Sequence, residues 1–95
     1  MELKYLRASY ASRRDPYHIV DFSIKPIRQG TGPLVLRATH NSLCKRWNCF
    51  SEDEIDEKKN INLYDKYVEE YNGIPDNMIV CGHCLKALKK LDTHA

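Results

Sequence analysis

The sequence predicts a small α+β domain, and three observations carry that prediction. Apolar residues alternate at Val20, Phe22 and Ile24, the period of a half-buried strand. Helical signals begin after residue 50, where Ser51 and Glu54 have the spacing of a capping box. Four cysteines stand in two close pairs, Cys44/Cys49 and Cys81/Cys84, on either side of that stretch. A chain of 95 residues is read as one domain, residues 1–95.

The elements follow in order. Leu3 to Tyr10 is a candidate first strand, and Ser12 to Pro16 its loop. Tyr17 to Ile24 is the best strand, which Pro26 ends. Gln29-Gly30-Thr31-Gly32-Pro33 is a turn on composition, and Leu34 to His40 is the return strand of an antiparallel hairpin. After Cys49 an acidic helical insertion is expected. Glu52, Asp53 and Glu54 crowd its first turn, where the helix dipole favours them, and Lys58 and Lys59 sit at its end. A second helix is expected from Asn62, with Leu63, Tyr67, Val68 and Tyr71 on one face. Gly73 suits its C′ position, and Pro75 forbids continuation. Met78-Ile79-Val80 reads as a short strand. Cys81-Gly82-His83-Cys84 then opens a C-terminal helix with Leu85, Leu88 and Leu91 as its apolar stripe.

The cysteine spacing is the sharpest chemical signal. A C-x4-C pair, 31 intervening residues and a C-x-x-C pair offer four thiolates to one tetrahedral ion. Gly82 suits a tight turn because it tolerates positive φ. A helix N-terminus after Cys81 would stabilise thiolate charge. The first residues lack the apolar core of a secretory signal, so a reducing cytoplasmic location is expected, where disulfides are rare. A small domain also gains folding free energy directly from a structural metal. The expected cofactor is therefore structural Zn2+ held by Cys44, Cys49, Cys81 and Cys84. His40, four residues before Cys44, is the alternative fourth ligand in place of Cys49, and His83 reads as a solvent-facing spacer. A disulfide or inert buried thiols are the competing readings. A thioredoxin-type role for Cys81/Cys84 lacks its βαβ setting. A closed four-ligand site leaves no position for water and points away from zinc hydrolysis.

The segment Val80-Cys81-Gly82-His83-Cys84-Leu85-Lys86-Ala87-Leu88-Lys89 resembles the second knuckle and helix of treble-clef zinc proteins, including short phage and bacterial proteins that end this way. The resemblance covers the C-terminal knuckle and helix. It implies a treble-clef-like fold with Cys81 and Cys84 as ligands, and Cys44 with them. The acidic stretch between the halves departs from the short hairpin of that family.

Net charge is only +2, but it is uneven. Residues 1–48 hold nine basic and three acidic side chains, a net +6; residues 49–76 hold three and nine, a net −6. Residues 77–95 hold three and one, a net +2. The basic half interleaves Arg13, Arg14 and Arg46 with tyrosines and Trp47, and Lys86 and Lys89 extend the basic set. Such a mixture suits single-stranded nucleic acid through phosphate neutralisation and base stacking. Solvated strand edges and a Trp47 packed on the core are the plainer reading of the same residues. The acidic run Glu52 to Glu57 could mimic phosphates on a partner, or simply match a helix dipole. Tyr64, Tyr67 and Tyr71 read as packing residues.

No enzyme signature stands out: Gly30 and Gly32 lack the Lys-Ser/Thr of a P-loop. His18 and His40 could serve a nuclease, but without an accompanying motif. No apolar run approaches the roughly 20 residues needed to span a bilayer. The expectation is a non-enzymatic zinc-structured module, a small regulatory or inhibitory protein that docks on a protein partner in nucleic-acid machinery. No membrane or small-molecule substrate is expected. Direct RNA or DNA binding through Arg13, Arg14, Arg46 and Trp47 is the alternative, and a treble-clef metal-dependent nuclease the distant one.

Overall fold

A computed structural model describes residues 1–11, 14–29, 37–71 and 79–93. The expected turn at 30–33, the first three residues of the return strand, and the stop at Gly73 and Pro75 lie outside these residues, as do Arg13 and Met78.

The first sheet has the order β2 (His18–Asp21), β1 (Leu3–Ala8), β8 (Val68–Tyr71), all antiparallel. Its central strand is β1, Leu3–Ala8, which pairs with β2, His18–Asp21, in a register that sets Leu3 opposite Asp21 and Leu6 opposite His18. Strand β2 is shorter than the alternation suggested. The Asp21 carboxylate accepts hydrogen bonds from the Ser23 amide (3.0 Å) and hydroxyl (2.6 Å), and this side-chain turn stops the strand before Pro26. Phe22 therefore sits in a turn, yet it still packs on the core.

The return segment does not pair with β2. Strand β3, Ile27–Gln29, takes that place beside β4, Arg37–Asn41, and β4 continues into β5, Asn48–Phe50. The acidic helical insertion is likewise corrected. Residues after Ser51 form a two-stranded hairpin, β6 (Ile55–Asp56) against β7 (Ile61–Asn62), with Asn60 at a left-handed φ of 50°. The capping box is disassembled by the neighbouring strand. The Ser51 amide donates to the Ala38 carbonyl (2.9 Å), and the Glu54 carboxylate accepts from the Ala38 amide (3.0 Å) instead of reaching back to Ser51.

Asn62 does cap a helix: its side chain accepts from the Asp65 amide at 3.1 Å. That helix, α1 (Leu63–Tyr67), is a little over one turn long. Val68, expected on its apolar face, instead begins β8 (Val68–Tyr71), which pairs with β1. Burial along a strand defeats the helical periodicity here, because β1 offers an open row of backbone groups. The final element is α2, Gly82–Thr93.

The β2-β1-β8 sheet separates two cores. Leu6, Val20 and Val68 meet Cys49 and Tyr64 on one side. Ile19 meets Cys81 and Cys84, with Leu3, Tyr5 and Leu88 packed around them, on the other. Neighbouring residues of one strand serve opposite faces, as period-two geometry requires.

The charge blocks of the sequence are interleaved by folding. Among the described residues, Lys4 pairs with Glu52 (3.1 Å) and Glu70 (3.6 Å), Arg7 with Glu69 (3.0 Å) and Arg28 with Glu54 (3.6 Å). Each pair joins the basic first half to the acidic middle. No helix among the described residues is long and apolar enough to cross a membrane.

Candidate metal centre

Strand β2 assembles the site. One edge pairs with β1, and the other is covered by both cysteine-bearing segments. The Leu43 amide donates to the Ile19 carbonyl (2.8 Å), and Val20 forms a single-residue bridge with Ser42. Tyr17 donates to the Ile79 carbonyl and accepts from the Cys81 amide, both at 2.8 Å. Backbone hydrogen bonds thus carry two segments that are distant in sequence to one strand edge.

Four donor groups converge there: His18, Cys44, Cys81 and Cys84, with ligand atoms all within 4.8 Å of one another. His18 Nδ1 lies 3.7 Å from Cys44 Sγ and 3.8 Å from Cys84 Sγ. For sulfur and nitrogen donors bound tetrahedrally to one ion at about 2.0–2.3 Å, donor–donor separations are about 3.6–3.8 Å. The cluster is compatible with a single bound metal ion.

The sequence expectation of four thiolates is changed at one position. Cys44, Cys81 and Cys84 come together, but Cys49 lies in the other core, among Leu6, Val20, Tyr64 and Val68. The cause is the hairpin. Ser42 and Trp47 close a loop through the Ser42 amide and the Trp47 carbonyl (2.9 Å), with Lys45 at a left-handed φ of 62°. That loop presents Cys44, whereas Cys49 is already on β5, opposite His40. His40 does not join the cluster either; its ring packs on Phe22 with centroids 4.5 Å apart. His18 is the fourth member of the cluster. The only sequence signal for it was its position at the head of the strand, which a lone histidine cannot convert into a ligand assignment.

The surroundings fit a ligand set. The His18 ring stacks on Trp47 at 5.1 Å with an interplanar angle of 5°, and Trp47 packs on the apolar core. Trp47 thus holds the ring at the boundary between the two cores, with one face committed. Ser42 Oγ lies 3.0 Å from Cys44 Sγ. Burial works to raise the Cys44 thiol pKa, but hydrogen bonds from Ser42, the Arg46 backbone and the thiols of Cys84 and Cys81 carry it below its ordinary value. Burial pushes the Cys84 thiol up to about 11, with backbone hydrogen bonds from Ile19 and Cys44 opposing and the Cys44 thiol adding to the rise. Burial also lowers the His18 pKa, which keeps a nitrogen lone pair free for coordination.

Gly82 opens α2 with no left-handed φ, so the expected tight turn is not formed there; the left-handed residue beside a cysteine is Lys45, in the first loop. His83 is exposed and accepts from the Arg46 guanidinium at 3.4 Å, linking the two cysteine segments. Of the other binding candidates, Arg14, Lys86 and Lys89 are exposed. On α2 the buried face runs through Cys84 and Leu88, while Leu85 and Leu91 of the expected stripe are exposed.

No protein-family model, curated protein or solved structure matches this chain.

Proposed function

We propose that this protein is a zinc-structured, non-enzymatic binding module, in which one Zn2+ held by His18, Cys44, Cys81 and Cys84 staples α2 to the β2 edge and the finished surface docks on a protein partner. One observation carries the zinc reading: four zinc-type donors from three separate segments converge within 4.8 Å. Three thiols and an imidazole match zinc in softness and number. All four positions are filled by protein donors, which favours a structural role over hydrolysis.

Protein docking is preferred to direct nucleic-acid binding on the arrangement of the basic half. Trp47 has one face stacked on His18, and the largely covered side chains of Lys4 and Arg7 each face a glutamate of the same chain. Aromatic stacking and phosphate neutralisation both need those groups turned outward.

The test is metal analysis with X-ray absorption at the zinc edge on protein purified without added metal. One zinc per chain with three sulfur neighbours and one nitrogen is expected. Four sulfur neighbours would return Cys49 to the site, and a folded protein without metal would end the zinc reading. The nucleic-acid alternative predicts binding that weakens steeply with salt and is lost in Trp47→Ala.

A further inference from the structure

The three thiols of the cluster are alike in chemistry but not in access. Cys44, in the loop closed by Ser42 and Trp47, is partly exposed, whereas Cys81 is 8% and Cys84 0% exposed. An oxidant in solution therefore meets the Cys44 sulfur first. That sulfur has a partner at hand. The Cys44 and Cys84 thiols hydrogen-bond each other, and Cys84 Sγ also accepts from the amides of Ile19 and of Cys44 itself. Cys84 thus touches both the side chain and the backbone of Cys44. Cys49 packs in the other core, away from the cluster. An accessible sulfur set in front of a buried one is the arrangement of an attacked thiol and a resolving thiol.

We propose that Cys44 is a site of oxidation by hydroperoxides and that Cys84 resolves it as a disulfide, with release of the metal. In the first step the Cys44 sulfur attacks one peroxide oxygen. The O–O bond breaks, the sulfur takes up OH as a sulfenic acid, and the departing hydroxide takes a proton to become water. In the second step the Cys84 sulfur attacks the Cys44 sulfur. The S–S bond forms, the S–O bond breaks, and the hydroxide leaves as a second water. The balance is two thiolates, one hydrogen peroxide and two protons to one disulfide and two waters. Bond formation closes a sulfur–sulfur separation of at most 4.8 Å to about 2.05 Å. His18 and Cys81 then remain as two donors, too few for a closed structural zinc site. The disulfide joins the same two segments that the metal joins, the first cysteine loop and α2. Metal release rests on the zinc-structured reading, whereas the choice of sulfurs rests on their contacts and exposure alone.

The experiment treats the zinc-loaded protein with equimolar hydrogen peroxide. Released zinc is read with a chromophoric chelator, and free thiols are alkylated in acid before peptide mapping by mass spectrometry. One zinc should leave per disulfide formed. The principal disulfide should be Cys44–Cys84, with Cys49 and Cys81 recovered alkylated. Dimedone present during the reaction should mark Cys44 as the sulfenic acid. Dithiothreitol and zinc should restore the starting protein, since the disulfide is a reversible rung of thiol oxidation. Cys49→Ala should release zinc at the wild-type rate. A principal Cys44–Cys81 or Cys81–Cys84 bond, or a dimedone adduct on Cys81 or Cys84, would overturn the proposal. So would slowed release in Cys49→Ala, or intact thiols and retained zinc at a peroxide dose that oxidises free glutathione. Protein stripped of metal by a chelator is mapped in parallel. Reduced protein that folds without metal would end the zinc reading, and mapping on that same protein would still decide the Cys44–Cys84 bond, so the two failures are read separately.

Discussion

Cys84 and Cys49 are both almost fully buried, and they sit on opposite sides of the same three-stranded sheet. Burial acts on both in the same direction. It pushes the Cys84 thiol up to about 11 and the Cys49 thiol up to about 12, so neither is a thiolate by virtue of its environment alone. What separates them is company. Cys84 faces two further sulfurs and an imidazole; Cys49 faces leucine, valine and tyrosine. Convergence of donors, rather than burial or spacing along the chain, marks a ligand. A cation in place of the protons would make the Cys84 side a cross-link, while the Cys49 side is ordinary packing.

The largest expected effect breaks the comparison most directly. Cys84→Ser should lose zinc and with it stability on the order of 10 kcal/mol, the scale of structural zinc binding. That exceeds what a domain of this size can spare, so the variant should be unfolded by circular dichroism. Cys49→Ala should keep one zinc per chain and cost about 0.5–3 kcal/mol in chemical denaturation, as small core truncations do. Zinc loss in Cys49→Ala with zinc retained in Cys84→Ser would reverse the two roles.

A finer version uses two buried serines. Ser42 supports Cys44 at 3.0 Å, whereas the Ser51 hydroxyl accepts from the Asp53 amide (3.4 Å) on the other side of the molecule. Ser42→Ala should weaken zinc binding about 10–100-fold in competition with a chromophoric chelator, since partners of ligands tune affinity. Ser51→Ala should leave zinc affinity unchanged. Equal affinities for the two variants would remove Ser42 from the metal's support.

These contrasts also show where the sequence was legible. That Cys81 and Cys84 come together could be read from spacing, because a two-residue interval restricts its own geometry, whereas the longer Cys44/Cys49 interval let its two thiols part. The alternation at Val20 and Phe22 located β2, and Asn62 announced α1, since capping is decided within four residues. Two of the errors lie where a distant strand overrides a local signal. Ser51 and Glu54 fit a helix start, but Ala38 takes up the Ser51 amide and the Glu54 carboxylate that would have met each other. Val68 and Tyr71 continue a helical stripe on paper, and β1 claims them for a sheet. His18 was unreadable as a ligand for the same reason: its partners are 26 and 66 residues away and are delivered by backbone pairing to β2.

A pH experiment probes the dry side by itself. Burial lowers the His40 pKa, with the Lys4 charge adding slightly and Glu52 and the Ile24 backbone opposing. The folded chain therefore resists protonation that the unfolded chain accepts. The sign follows: the stability that neutral His40 permits is complete above its ordinary value of 6.5 and is lost as pH falls through the lower folded value. The slope should approach at most about 1.4 kcal/mol per pH unit for one proton. Acid also displaces zinc, so the diagnostic quantity is the difference between wild type and His40→Asn. The variant should lack this part of the slope and keep the part due to the metal. Superimposable slopes would mean that His40 titrates alike in both states.

The smallest effect tests how the second cysteine pair is built. Gly82 separates Cys81 from Cys84 at the first position of α2, without a left-handed φ, and a Cβ placed there meets nothing within 4 Å. Glycine is therefore not required by the backbone, and its cost is the extra freedom of the unfolded chain. Gly82→Ala should raise stability by about 0.4–1 kcal/mol at unchanged zinc stoichiometry. A loss of stability or of zinc would show that the metal-bound pair uses a backbone conformation that only glycine reaches, and would transfer to Gly82 the left-handed role that Lys45 holds in the first loop.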